Sequence, residues 1–306
     1  MTAPGIPNEY TLSTTCFGAR LGRIEDQIFN AVAMGFRRLE LGLSEAPPSM
    51  DGLEDCKRET SVEVRSMIAG CRDSISSHLA SHDLGSLEPI ERERAMNSIR
   101  RHVRLAESWG CPIVVVRGSK IGSAEIRDAG RELESRLVAE GATDELLAEV
   151  AAYVKNVQLK GQKQVEHLCR SLHSLMSETP ETRFAIEPGM YIDDLLGFDA
   201  MGWVMDDLAS QGLGYWHDVG RVHLRSRHGL PEHGQWLEAF APRMFGVHLQ
   251  DAANEEAEMP LGLGEVDFKL LASYVPAEAE RVLELNSRHG RAEILASIQF
   301  LVDQGF

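Results

Sequence analysis

The chain has 306 residues, with 31 Lys and Arg against 47 Asp and Glu, a formal net charge of −16. At 43% hydrophobic and 25% charged residues the composition is that of a folded globular protein, not a disordered one. A chain of this length buries enough of its own surface to need neither disulfides nor structural zinc. The acid surplus argues against nucleic acid as a partner, because phosphate contacts call for Lys and Arg in excess.

The cysteines (Cys16, Cys56, Cys71, Cys111 and Cys169) are odd in number and form no C-x-x-C pair, the usage of a reducing compartment. No basic start followed by an apolar stretch opens the chain, and no run of about 18 apolar residues occurs anywhere. The expectation is a cytoplasmic protein with no membrane association.

In chain order, residues 10–16, 37–42, 74–79, 112–117, 183–187, 214–218, 244–249 and 282–285 read as strands. Ile113, Val114, Val115 and Val116 are apolar at every position, as a parallel strand covered on both faces should be. Between strands, Met96/Ile99/Val103/Ala106 and Val165/Leu168/Leu172/Leu175 trace the single apolar stripe of a helix packed on a sheet. Gly35, Gly110 and Gly212 come shortly before strands, where a helix C-terminal cap would need them. Strands that each precede a helix predict a single α/β domain over residues 1–306, a (β/α)8 TIM barrel. A doubly wound sheet would show a Gly-rich phosphate loop after the first strand, and residues 14–20 are not one. The spacing breaks once. Residues 118–182 form a long crossover in which 127–139 and 143–153 read as helices, an excursion that serves as a lid or as a homo-oligomer contact.

In such barrels the chemistry sits at the C-terminal ends of the strands. Four apolar runs end in Glu187, Asp218, His248 and Glu284, spaced 31, 30 and 36 residues apart, about one strand–helix unit each. One such acid is commonly a helix cap or a salt-bridge partner. Four in matched phase make a mixed oxygen–nitrogen site suited to one divalent ion, Mn²⁺, Mg²⁺, Co²⁺ or Zn²⁺. A cation also gives three clustered carboxylates a physical reason to be together.

Residues 33–41 (Ala-Met-Gly-Phe-Arg-Arg-Leu-Glu-Leu) resemble the second-strand motif of the xylose-isomerase-like TIM-barrel superfamily of sugar isomerases and epimerases. Residues 109–116 resemble its fourth strand and 184–187 its fifth. His248-Leu249-Gln250-Asp251 followed by residues 260–267 (Pro-Leu-Gly-Leu-Gly-Glu-Val-Asp) is similar to its seventh-strand signature, the most distinctive piece. The likeness spans about residues 10 to 302. It implies that Glu187, Asp218, His248 and Glu284 hold the metal and that Glu187 and Glu284 are the acid/base pair. A metal beside neighbouring carbonyl and hydroxyl oxygens acidifies the intervening C–H and stabilises an enediolate. Carboxylates on opposite faces then epimerise or isomerise the substrate.

Two departures narrow the reading. Many relatives carry a histidine three residues after the sixth-strand aspartate, where this chain has Arg221. The apurinic-endonuclease branch ends its fourth strand in a histidine, where this chain has Arg117. Losing both argues against a multinuclear zinc nuclease. Arg117, Arg221 and Lys120 are candidates for a substrate carboxylate or phosphate, with salt bridges to local acids as the alternative. His78 matches a substrate-contacting position, with His82 competing for the role. Asp251 either orients His248, binds a substrate hydroxyl or caps a loop. Glu40 faces the site or makes an ion pair at the barrel mouth. Gly262 and Gly264 read as an ordinary turn before a phosphate cradle. Trp203, Trp216 and Trp236 read as packing residues, and 254–258 as a solvated acidic loop.

The expected function is a metal-dependent isomerase or epimerase of a sugar, sugar phosphate or keto-polyol. A dehydratase or lyase on a keto-sugar or keto-inositol is the alternative. Behind them stand a metal-assisted phosphoester hydrolase and a non-catalytic sugar-binding subunit.

Overall fold

The computed structural model describes residues 9–43, 48–71 and 83–306. Eight parallel strands close a barrel: β1 (Tyr10–Ser13), β2 (Arg38–Leu41), β3 (Glu63–Ile68), β4 (Ile113–Arg117), β5 (Arg183–Glu187), β6 (Gly214–Asp218), β7 (Met244–Leu249) and β10 (Glu280–Leu283). Neighbours follow chain order, and β10 closes the ring between β7 and β1. After β7 the chain inserts an antiparallel hairpin, β8 (Asp251–Ala253) and β9 (Glu256–Met259). The helices are α1 (Ile24–Met34), α2 (Leu53–Thr60), α3 (Pro89–Trp109), α4 (Ala124–Glu140), α5 (Asp144–Glu178), α6 (Phe198–Asp207), α7 (Val219–Arg227), α8 (His233–Phe240), α9 (Phe268–Tyr274) and α10 (Arg291–Gln304).

Seven of the strands overlap runs read from the sequence, and the third does not. It is formed by 63–68, whereas 74–79 lie outside the described residues. Glu63 and Arg65 alternate with buried Val64 and Ser66 and hide the apolar signal. Arg65 points its guanidinium at Glu280, at 3.0 and 2.7 Å, at the start of β10. Gly35, Gly110 and Gly212 do end helices, in left-handed conformation with φ of 112°, 66° and 78°.

Alternation along the strands decides what enters the barrel. Ile68, Ile113, Val115, Ala185, Trp216 and Val282 form an interior cluster separate from the larger apolar layer between strands and helices. Two positions further along their strands stand Arg117, Glu187, Asp218 and Glu284, so the same face that fills the barrel presents the polar rim. Trp216 forms the floor. A Cβ on Gly246 would lie 2.4 Å from its ring, so glycine in β7 is what lets the indole cross the interior.

The crossover between β4 and β5 holds two helices. α4 is capped by Ser123, and α5 begins at a Thr143 cap and runs 35 residues, joining the 143–153 segment to the later stripe. No proline breaks it, and its Gly161 is where the Leu195 side chain packs close. Tyr153 ties the pair by donating to the Ile126 carbonyl at 2.8 Å. Among the described residues no helix is long and apolar enough to cross a membrane, and the five cysteines are buried.

Candidate metal centre

Glu187 ends β5, Asp218 ends β6, His248 lies in β7 and Glu284 directly follows β10. All four are buried. The imidazole is the hub: its Nδ1 lies 3.4 Å from Glu187 Oε2, 3.5 Å from Asp218 Oδ2 and 3.4 Å from Glu284 Oε2. Its other nitrogen, Nε2, is 3.1 Å from both carboxylate oxygens of Glu40, which also accepts from Ser66 Oγ at 2.8 Å. A carboxylate on one imidazole nitrogen fixes the ring and turns the opposite nitrogen to a cation. The strand pairing shifts register at Glu40 and again at Trp216, two places where the chain re-aims a side chain at the rim.

Does the cluster fit a divalent ion? His248 Nδ1 and Glu187 Oε2 are buried and make no hydrogen bond. Buried polar atoms left without partners are costly, and these two face each other across the point where three carboxylates meet. Glu187, Asp218 and His248 bring ligand atoms within 4.8 Å of one another, as do Glu40, His248 and Glu284, so the shared imidazole and its carboxylates offer oxygen and nitrogen donors suited to a divalent ion. The residues fit.

The surroundings divide the carboxylates. Burial would raise Glu187, but Arg117, Arg221 and His248 outweigh it and hold its carboxyl down at about 2. Asp218 is likewise held low: burial opposes, and Arg221 and His248 win. Burial pushes Glu284 up to about 8, with Asp218, Glu258 and Glu40 adding to the rise against His248.

Arg117 bonds Glu187 through Nε. Arg221 donates from Nε to Asp218 at 2.9 Å and from Nη1 to the Pro188 carbonyl at 3.2 Å, with Nη2 3.3 Å from Glu187. Asp218 also caps α7, accepting from the Arg221 amide at 3.0 Å. Both arginines therefore meet the carboxylate rim, and each keeps part of its side chain open to solvent, 23% and 16%. Lys120 is placed further out, 3.0 Å from Asp193 and 4.0 Å from the centre of the Tyr191 ring. His78 and His82 lie outside the described residues.

Asp251 requires a correction. Its carboxylate accepts from the amides of Ala252, Gly262, Gly264 and Val266 at 2.8–3.2 Å, so it caps the loop after β9 and reaches neither His248 nor the barrel mouth. The amide cradle of Gly262 and Gly264 exists, and Asp251 is the anion in it. The 254–258 stretch is also not a free acidic loop. It makes the turn and second strand of the hairpin, and Glu258 is partly buried, 3.3 Å from the Asn286 amide nitrogen. Trp216 and Trp236 are core residues, whereas Trp203 is 53% exposed.

The strand-end reading left Gln250 without a role and Glu40 undecided. Gln250 donates from Nε2 to Asp218 at 3.2 Å and to Glu284 at 3.3 Å. Glu40 stands one residue before the end of its strand, between Leu39 and Leu41, a position the sequence showed. Gln250 carries no signal, because a polar residue after a strand is ordinary.

A closed barrel with a carboxylate–imidazole cluster at the C-terminal ends of its strands defines the class. The chain belongs to the xylose isomerase-like TIM barrel family, whose model matches residues 28–303. No curated protein matches it by sequence. Among solved structures it is similar to a D-tagatose 3-epimerase-like protein, at 14% identity and TM-score 0.67, over 96% of each chain. It is also similar to the 3-keto-D-glucoside 4-epimerase of E. coli, at 16% identity and TM-score 0.65, over 97% of this chain and 100% of that one. The IolI protein with a bound zinc atom shares 11% identity and a TM-score of 0.59, over 96% of this chain and 97% of that one. At such identities the likeness is one of fold.

Proposed function

We propose that the protein is a divalent-metal-dependent isomerase or epimerase of a sugar, a sugar phosphate or a keto-polyol, a small polyhydroxy substrate rather than a nucleic acid. The observation that carries this reading is the convergence of Glu187, Asp218 and Glu284 on the unbonded Nδ1 of His248. A divalent ion held by these four residues supplies Lewis acidity, which makes the C–H beside a carbonyl removable. Glu187 and Glu284 stand on strands three positions apart around a barrel of eight, so their carboxylates reach the centre from well-separated directions. One takes the proton from carbon and the other returns it on the opposite face. Arg221, engaged by Asp218, Glu187 and the Pro188 carbonyl, holds the rim in place. Arg117 uses Nε for Glu187, and its terminal N–H groups face a substrate carboxylate, phosphate or hydroxyl. Lys120 adds charge at the outer edge.

The test is a screen of ketoses, their phosphates and keto-inositols with Mn²⁺ in deuterated water. Deuterium beside the carbonyl of recovered substrate, with an epimer or aldose, is the expected result. Glu187→Gln and Glu284→Gln should each lower turnover at least about 10²-fold. Loss of water from the substrate would instead make the protein a lyase. Protein purified without chelator that holds no metal and gains no thermal stability from added Mn²⁺ would overturn the reading.

A further inference from the structure

The metal ligands Asp218 and Glu284 sit on strands separated by β7, and the side chain that spans the gap is Gln250, the first residue after β7. A primary amide has two N–H donors. Nε2 gives one to Asp218 Oδ1 at 3.2 Å and the other to Glu284 Oε2 at 3.3 Å. The Asp218 oxygen opposite, Oδ2, is the one that faces His248. The acceptor end is used as well: Gln250 Oε1 takes the backbone N–H of Glu258, in the second strand of the hairpin, at 2.6 Å. The Glu258 carbonyl in turn accepts the amide of Asn286, two residues beyond Glu284, at 2.9 Å. The fold makes room for this arrangement. A Cβ on Gly220, at the start of α7, would sit 2.4 Å from Gln250 Oε1 and 2.8 Å from Ala257 Cβ.

We propose that Gln250 is a positioning residue that holds Asp218 and Glu284 at a fixed separation and latches the β8–β9 hairpin to them, so that metal occupancy and hairpin order are coupled. This rests on the metal reading above. The neutral donor of Gln250 lies between two carboxylates that would otherwise repel, and its carbonyl carries their position to the hairpin. A ligand's hydrogen-bonding partner of this kind is typically worth about 10- to 100-fold in metal affinity.

Gln250→Met keeps the volume and removes both functions. The metal-free variant loses the acceptor of the Glu258 N–H and the donor between two carboxylates, so its Tm should fall, and Mn²⁺ titrated calorimetrically into the folded variant should bind about tenfold or more weaker. Hydrogen exchange gives the second readout. Adding Mn²⁺ to wild type should slow exchange of the Glu258 amide, and in Gln250→Met that amide should exchange faster and be indifferent to Mn²⁺. A residue that merely filled space would be replaced by Met with Mn²⁺ affinity and the metal response of the hairpin both intact. Gly220→Ala, which displaces Gln250 without altering it, should reproduce both effects and serves if Gln250→Met does not fold. Wild-type Mn²⁺ affinity in the variants, or an unchanged metal response at Glu258, overturns the latch alone. Failure of wild type itself to bind Mn²⁺ removes the metal reading, and the latch with it.

Discussion

Glu40 shows how one residue gives a neighbour its chemistry. An isolated imidazole at the centre could present either nitrogen; with Glu40 on Nε2 at 3.1 Å, Nδ1 is the one turned to the three carboxylates. Glu40→Gln keeps the shape and removes the charge, so the ring is less firmly held and less basic. Its Mn²⁺ affinity should fall about 10- to 100-fold, measured by competition with a chromophoric chelator. Unchanged affinity would mean that Glu40 merely balances local charge. The four residues of the cluster were legible as a group because each ends an apolar run, and a strand's period of two turns that position into the barrel mouth. Gln250 was not legible for a physical reason: its role depends on distances to two strands remote in sequence, and no local pattern encodes them.

At the scale of elements, the loop after β9 and the missed third strand make the same point from opposite sides. The 260–267 stretch was conspicuous as a motif, yet it serves to wrap three amides, those of Gly262, Gly264 and Val266, around Asp251. β3 was missed because its outward residues are charged and its inward Ser66 faces Glu40. Long apolar β4 was found readily, since both its faces are covered. The Asp251 assignment has a clear consequence. Asp251→Ala leaves one buried and three part-buried amides without their acceptor and should cost about 1–3 kcal/mol of stability, read by urea denaturation. Mn²⁺ affinity should stay within about threefold of wild type, since changes in a second loop act weakly on the ligands themselves. A substrate-binding Asp251 would give the reverse, with stability unchanged and KM raised.

Across the whole molecule, a pair of buried imidazoles outside the carboxylate cluster bears on how stability responds to pH. His217 and His233 are buried behind the centre, Nε2 of one 3.1 Å from Nδ1 of the other, and the Tyr215 hydroxyl is 2.8 Å from His217 Nδ1. One proton per ring satisfies both bonds, whichever way they run, and protonating both rings fully would set two N–H groups against each other. Burial accordingly lowers His217 to about 4 and holds His233 well below its ordinary value, with the neighbouring His217 and His223 adding to the effect. A folded-state value depressed in this way leaves stability intact above the unfolded value near 6.5 and removes it as pH falls. Other groups titrate in the same range, Glu284 in the opposite sense, so the informative quantity is a difference between two proteins. His233→Gln retains a hydrogen-bonding partner for His217 and has no proton to take up. Relative to that variant, the metal-free wild type should lose about 1.4 kcal/mol per pH unit between pH 6.5 and 4, measured by chemical denaturation. A difference independent of pH would show that the pair is not kept neutral by burial. A decline confined to this window would place the acid sensitivity of the fold in the layer behind the centre, apart from the carboxylates proposed to do the chemistry.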